Sequence, residues 1–464
     1  MMLIERAGPM DLTVLAADHA ALPANVGAVL IFDSPGPTAD EIRAVFRDRV
    51  PQIPRLRQTL RRTPVGCGRP VWVDDPAFSV AEHVHRLPWP QPGSDRALFD
   101  LAADLLVRRL PAGRPLWQAA LVTSPRRTAL IVVVHHVLAD GLGGLAILAA
   151  LTDERPDRPA RAFPMRPPST RELAAEAALD RLRAIRALPG RLRRGRAGLR
   201  ELGIGRTRPA ERLSLLRPTS DRRRLTPVPV ALAEVAAVAH RHGGTVNDVV
   251  LAAITGALLD ALNARGEHPG HLVVSVPVSG RRSADAEALG NNTGVRPIAI
   301  PATADDHARL TEIIAATAAV SRTSARAASA VPLGLAVRLL HRAGLFQWFI
   351  DHQRLVHTFE TNLRGPATAW HLAGHRIGAL VPLVATPGNV AVTFAVLSYA
   401  GTLTVNVIAD PGLVPEQDAL ADALRRSFGR VGVDGRAAPL RTGQGPAAAS
   451  GRSRTPRGRP LATG

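Results

Sequence analysis

The apolar positions of the chain change period repeatedly, and each change predicts an element. Ile131-Val-Val-Val134 is a short β-branched run without alternation, the pattern of a strand buried on both faces. It runs straight into His135 and His136, and Asp140 follows four positions after the second histidine. Asp140 and the glycines behind it read as a helix start, with Leu142, Leu145, Ile147 and Leu148 as the apolar face. The two histidines therefore stand where a buried strand ends. Adjacent residues of an extended chain point to opposite faces, so the pair is expected to divide its work. One ring can look into a cleft while the protein holds the other.

Upstream, the pattern predicts a strand over 26–32 and a helix over 38–50 capped by Thr38, with Ile42, Val45 and Phe46 inward. A short strand over 71–73 and a helix over 96–109 follow. Strands over 118–123 and 128–135 then neighbour each other across the polar turn Ser124-Pro-Arg-Arg127. Downstream, helices are predicted over 230–242, over 246–263 behind Thr245-Val-Asn-Asp248, over 308–328 and over 415–431. Strands are predicted over 271–278, 358–362, 390–397 and 403–408. The result is an α/β (α+β) chain in two halves with mixed sheets, joined by a long crossover.

At 464 residues the chain exceeds one ordinary domain. Four segments are expected: an N-terminal domain 1–152, a Pro/Arg-rich crossover 153–224, a C-terminal domain 225–435 and a basic, disordered tail 436–464. The single cysteine, Cys67, can form no internal disulfide, and a reducing compartment is the simplest setting. No basic region followed by an apolar core marks a signal peptide, and no uninterrupted apolar run is expected to cross a bilayer. The best candidate, 331–350, is broken by Pro332, Arg338, His341 and Arg342.

The formal net charge is +19, and all 58 basic residues are arginines. Their location says more than their number. Residues 166–224 hold 17 arginines against 6 acids, and residues 436–464 hold 6 arginines and no acid, which leaves the rest of the chain close to neutral. Aromatic residues make up 3%, which argues against a base-stacking nucleic-acid platform. From Arg171 to Leu188, Leu173, Ala177, Leu182 and Ile185 fall near one helical face with Arg181, Arg183 and Arg186 around it. Such a basic amphipathic helix reads either as a solvated connector or as a peripheral membrane contact.

The His-His-Asp stretch has bland readings beside the catalytic one. The three side chains could be structural. Metal ligation lacks an HExxH spacing and paired cysteines, so no metal is expected. The glycines from Gly141 loosely match a dinucleotide loop, but the histidines and Asp140 intervene between strand and glycines, and no second strand follows. No G-x-S-x-G elbow is present, so a serine acyl-enzyme is not indicated.

His135-His136-x-x-x-Asp140-Gly141 resembles the HHxxxDG motif of the CoA-dependent acyltransferase superfamily, which includes chloramphenicol acetyltransferase and peptide-synthetase condensation domains. Further stretches resemble motifs of the bacterial wax ester synthase/diacylglycerol acyltransferase family. They are Pro9-Met-Asp11 with Asn25-Val-Gly27, Arg114-Pro-Leu-Trp117, Thr245-Val-Asn-Asp248, Leu289-Gly-Asn291, Thr361-Asn-Leu-Arg-Gly-Pro366, Leu397-Ser-Tyr-Ala-Gly401 and the ending from Ala409-Asp410 to Pro415. They run in the family's order over residues 9–431. Thr361 and Leu363 stand where the family usually has Ser and Val.

The resemblance implies two chloramphenicol-acetyltransferase-like domains with an active-site tunnel at their interface. It implies transfer of a long-chain acyl group from acyl-CoA, a co-substrate rather than a cofactor, to a hydroxyl acceptor with no covalent intermediate. That acceptor is diacylglycerol, giving triacylglycerol, or a long-chain alcohol, giving wax ester; a hydroxylated natural product is the further alternative. His136 is implied as the general base, a role in which imidazole contributes roughly 10²–10⁴-fold. His135 is assigned to structural support and Asp140 to holding the motif in shape. Gly141, Asn247, Asp248, Asn362 and Arg364 are candidate substrate-binding residues, with a plain helix cap as the competing reading for Asn247 and Asp248. A cytoplasmic enzyme bound peripherally to the inner membrane face or to lipid inclusions is expected, with no nucleic acid partner. Two other classes remain: a lipid-surface protein that kept the fold and lost the chemistry, and a nucleic-acid binder suggested only by charge.

Overall fold

The structure is a computed structural model that describes residues 4–18, 22–155, 162–186, 190, 193, 209–279, 293–323, 337, 339–386 and 388–433. The tail 436–464, the Leu289-Gly-Asn291 motif and part of the crossover lie outside the described residues.

Two six-stranded mixed sheets carry the fold. The first half supplies β1 (Asn25–Phe32), β2 (Gln58–Arg61), β3 (Val71–Asp74), β4 (Val84–Pro88), β5 (Trp117–Thr123) and β6 (Thr128–His135). The second supplies β7 (Arg224–Ala231), β8 (His271–Ser279), β9 (Thr293–Pro301), β10 (Thr358–Arg364), β11 (His371–Leu372), β12 (His375–Val384), β13 (Val392–Tyr399) and β14 (Thr402–Ala409). The first sheet has the order β11-β12-β1-β6-β5-β4 and the second β7-β14-β13-β10-β8-β9, while β2 and β3 pair separately.

The local readings of the first half follow from short-range chemistry. Thr38 caps the helix Ala39–Arg49 in a reciprocal box with Glu41. Asp140 caps Gly141–Leu151, its Oδ1 accepting from the Gly143 amide at 2.9 Å. β6 is buried along its whole length, as its unbroken apolar run requires.

Four expectations are corrected or refined by the fold. The boundary at 224/225 does not divide the sheets. β11 and β12 leave the second half and join the first sheet, with β12 antiparallel to β1 from Val26↔Val384 to Phe32↔Ile377. Ile377, Leu380, Leu397 and Tyr399 accordingly share an apolar cluster with Ala28, Leu30, Val132 and Val134 of the first half. Second, residues 224–231 are a strand, and the helix expected from 230 begins only at Leu232. Pro227 and Pro229 disguise β7, yet β7 is an edge strand, where a missing amide hydrogen costs little. Third, the helix Val246–Ala264 is long and apolar enough, by length and composition, to cross a bilayer. It is instead the core helix of the second half, with Val249, Val250, Ala253, Ile254, Ala257 and Leu258 buried against the second sheet.

The fourth concerns the basic helix, which spans Thr170–Arg186 and buries apolar residues in its first half only. Leu173 and Ala177 are buried, Leu173 beside Cys67, Val71 and Val73. Arg6 fastens it through Glu176 at 3.0 Å and the Leu173 carbonyl at 3.0 Å. Leu179, Leu182 and Ile185 remain 47%, 56% and 68% exposed, so the apolar face continues outward past the docked turns. Arg181, exposed on the same helix, donates to the Gly66 carbonyl at 2.5 Å.

Candidate active site

β6 ends at His135, whose pairing partner on β1 is Asn25. The chain then departs from the sheet, and the His136 amide donates to the Ala24 carbonyl at 2.7 Å. The two rings part at this point. His135 is 3% exposed, and its Nδ1 accepts from the Val137 amide at 3.1 Å. That bond puts the ring proton on Nε2, which lies 3.0 Å from Asp18 Oδ1. The approach is close but outside hydrogen-bond alignment, so it acts as an electrostatic contact more than a directed bond. Burial raises the Asp18 pKa, but His135, the Ala24 amide and Arg109 outweigh it and hold the carboxyl below its ordinary value.

His136 is half-buried and lines a cavity of about 380 Å³ between the two sheets. Val26, Gly27 and Ala28 of β1 form one wall with Val132 and Val134 of β6. The helix Gly141–Leu151 contributes Leu145 and Leu148, and β12 contributes Leu380, Pro382 and Leu383. Thr361, Asn362 and Leu363 of β10 and Ala395 and Leu397 of β13 close it from the second sheet. The lining is aliphatic throughout, apart from Thr361, Asn362 and the His136-Asp140 end. A low aromatic content is therefore no obstacle to holding an apolar chain, since branched aliphatic side chains supply the contact area.

Two glycines set the width of this space. A Cβ on Gly27 would stand 2.1 Å from the Val132 carbonyl oxygen, so only glycine lets β1 lie against β6 here. A Cβ on Gly141 would meet Leu363 Cδ2 at 2.8 Å, because the helix start presses on β10 of the other half.

Of the residues singled out from sequence, His136, Asp140, Gly141 and Asn362 come together on the cavity. Asn362 donates from Nδ2 to Asn247 Oδ1 at 2.6 Å, which brings Asn247 to the site's edge. Asp248 is spent on the helix start. Its carboxylate accepts from the Thr245 amide at 2.7 Å and from the Thr317 hydroxyl at 2.7 Å, and it is absent from the cavity wall. Arg364 is exposed at the end of β10 and also stays off the wall. His135 stands behind the site. Among the described residues no three His, Cys, Asp or Glu side chains gather as a metal site would require.

Other motif residues turn out to hold the frame. Trp117 is buried and donates from its indole to the Leu56 carbonyl at 2.6 Å. The Tyr399 hydroxyl donates to the Ile377 carbonyl at 2.9 Å and accepts from the Trp370 amide at 2.8 Å, tying β13 to β12 across the two sheets. Asp410 accepts from the Gly412 amide at 2.7 Å and lies 3.8 Å from the buried guanidinium of Arg223. The β12 residues of the wall were missed from sequence. Local periodicity carries no mark of which sheet a strand will join.

Comparison with known proteins agrees with this architecture. Residues 8–250 match the family described as wax ester synthase/diacylglycerol acyltransferase catalytic domain, and residues 289–431 match the WS/DGAT C-terminal domain. The chain is 31% identical over 432 residues to a probable diacylglycerol O-acyltransferase of Mycobacterium tuberculosis, covering 88% of this chain and 90% of that one. Among solved structures, the wax ester synthase/diacylglycerol acyltransferase from Marinobacter aquaeolei superposes with a TM-score of 0.66 at 20% identity, covering 92% of this chain and 98% of the other. The starter condensation domain of rhizomide synthetase, in complex with C8-CoA, superposes with a TM-score of 0.61 at 15% identity, covering 92% and 94%. These two share the fold.

Proposed function

The chain belongs to the wax ester synthase/diacylglycerol acyltransferase family and is an acyltransferase, and on that premise we propose that it esterifies diacylglycerol with a long-chain acyl group from acyl-CoA. The observation that carries this reading is the aliphatic cavity with one histidine, His136, on its wall among the described residues. An alcohol is a weak nucleophile. A base within reach takes its proton as the oxygen attacks the thioester carbonyl, and the thiol of CoA leaves with a proton returned to it.

In this reading His136 is the base and no covalent enzyme intermediate forms. Asp140 caps the helix that follows and keeps the loop from 136 to 140 in shape. His135 acts from behind, held by Asp18 and the Val137 amide. Acyl-CoA serves as co-substrate and no cofactor is needed. A long-chain alcohol is the second acceptor, favoured by the mainly aliphatic lining that the described residues give the cavity. Such acceptors live in membranes or lipid inclusions, so the enzyme is proposed to work peripherally at such a surface. The decisive experiment supplies labelled palmitoyl-CoA with diacylglycerol, hexadecanol or no acceptor. Labelled triacylglycerol in excess of wax ester supports the reading, and no ester from either acceptor overturns it.

A further inference from the structure

A second cavity, of about 360 Å³, lies on the outer side of the helix Ala39–Arg49 and shares no lining residue with the cavity at His136. Its walls are Arg43 and Arg47, one turn apart on that helix, with Pro51, the segment Phe78-Ser-Val-Ala81, and Phe163 from the crossover. The acyl chemistry described above uses none of these groups.

The lining combines two kinds of surface that rarely meet without a ligand to match. The first is cationic. Arg43 pairs with Asp40, at 3.3 Å, in a pair whose side chains are 39% and 94% exposed and which an incoming anion can displace. Arg47 pairs with no carboxylate among the described residues. Asp48 pairs with Arg155 at 3.1 Å and Glu82 with Arg114 at 3.1 Å. Arg43 and Arg47 are the charged groups that the cavity wall presents among the described residues.

The second surface is aromatic. The rings of Phe78 and Phe163 stand 6.5 Å apart at 83°, a floor and a wall. Trp117 backs Phe78 at 6.3 Å, and the Arg57 guanidinium lies 4.6 Å over the Phe163 ring, itself fixed by the buried Asp74. The chain has only ten phenylalanines and five tryptophans, so this grouping is a concentration of a scarce resource. The rings are held in place before any ligand arrives.

An acyl chain would gain nothing from the two guanidinium groups, and a bare inorganic anion would gain nothing from the rings. A guanidinium pair recognises phosphate by paired, charge-assisted hydrogen bonds. Fixed aromatic faces recognise a planar heterocycle by stacking. The Ser79 hydroxyl lies on the same wall as a further polar contact. The volume falls in the range of roughly 300–1,000 Å³ usual for small-molecule sites. We propose that this cavity binds a phosphorylated planar heterocycle, a nucleotide group whose phosphate meets Arg43 and Arg47 and whose ring lies against Phe78 and Phe163.

Two sources supply that chemistry, a free nucleotide and the nucleotide end of CoA. Isothermal titration calorimetry with ADP, CoA and inorganic phosphate tests the site on the whole protein without turnover, so its result is separate from the outcome of the ester assay. ADP is expected to bind saturably and inorganic phosphate much more weakly. The double variant Arg43→Gln/Arg47→Gln, both at the surface and outside the core, should weaken ADP by about tenfold or more with an unchanged melting temperature. His136→Ala should leave ADP binding intact. A raised KM for acyl-CoA in the double variant identifies CoA as the source, and an unchanged KM identifies a free nucleotide. The proposal is overturned if ADP does not bind, if phosphate binds as well as ADP, or if the double variant binds ADP like the wild type.

Discussion

Asn362 on β10 donates a hydrogen bond of 2.6 Å to Asn247 in the first turn of the helix Val246–Ala264. The bond joins two motifs separated by more than a hundred residues and fixes a cavity-lining side chain to the core helix of the second half. A net contribution of about 0.5–1.5 kcal/mol is usual for such a bond, and an orphaned amide costs more. Asn362→Ala and Asn247→Ala should each lower stability by about that amount. Their combined effect should fall short of the sum, as urea melts of the double-mutant cycle will record. Strict additivity would mean that the bond carries no coupling.

The two histidines should separate in a single assay. His136→Ala is expected to cut kcat by roughly 10²-fold or more, with a melting temperature near that of the wild type. His135→Ala and Asp18→Asn should lower activity and melting temperature together, because both remove a group from the packed layer behind the site. A stable but inactive His135→Ala protein would reverse the assignment.

Glu360 carries a pH dependence of its own. It is 1% exposed, neither carboxyl oxygen has a hydrogen-bond partner among the described residues, and burial raises its pKa to about 8. Phe394 is its row partner on β13, in the apolar core of the second half. The unfolded chain ionises this group near the ordinary 4.5 while the folded one keeps it protonated. The native state therefore binds more protons between those values, and stability falls as pH rises from about 4.5 through about 8. Glu360→Gln should flatten the profile and stabilise the protein at pH 8 relative to the wild type, as denaturant melts at pH 5 and pH 8 will measure.

Gly27 and Gly141 both face the cavity, yet alanine should harm them unequally. At Gly27 the added methyl meets a backbone carbonyl that cannot move without parting β1 from β6, and a loss of about 3 kcal/mol or more is expected. At Gly141 it meets the flexible end of Leu363, so the cost should stay near 1 kcal/mol and appear mainly as altered KM. Equal melting temperatures for the two variants would contradict this.

The outer half of the helix Thr170–Arg186 should bind lipid. Leu179, Leu182 and Ile185 are exposed on it, with Arg183 and Arg186 beside them. Replacing the three apolar residues by serine should reduce sedimentation with anionic vesicles severalfold, while high salt releases the wild-type protein only in part. Normal binding by the triple variant would leave this helix a connector.

What the sequence determined by itself was local. Thr38, Asp140 and Thr245 announce their helices because a cap is decided within four residues of chain. Strand alternation led to the expectation that the His135 and His136 rings part, and they do, although the strand ends at His135 and the turn after it carries His136 to the cavity. The run from Ile131 to Val134 reads as buried because no polar residue interrupts it. Tertiary structure decided whatever depends on a distant partner. β12 joins the sheet of the other half because its apolar faces find β1 there, and no local period encodes that choice. β7 survives two prolines because its position at the sheet edge excuses their missing amides. Asp248 is withheld from the cavity because Thr245 and Thr317 occupy its oxygens, and Arg181 is drawn across the surface to the Gly66 carbonyl. Local periodicity reports which face of an element is apolar; only the folded chain decides what that face meets.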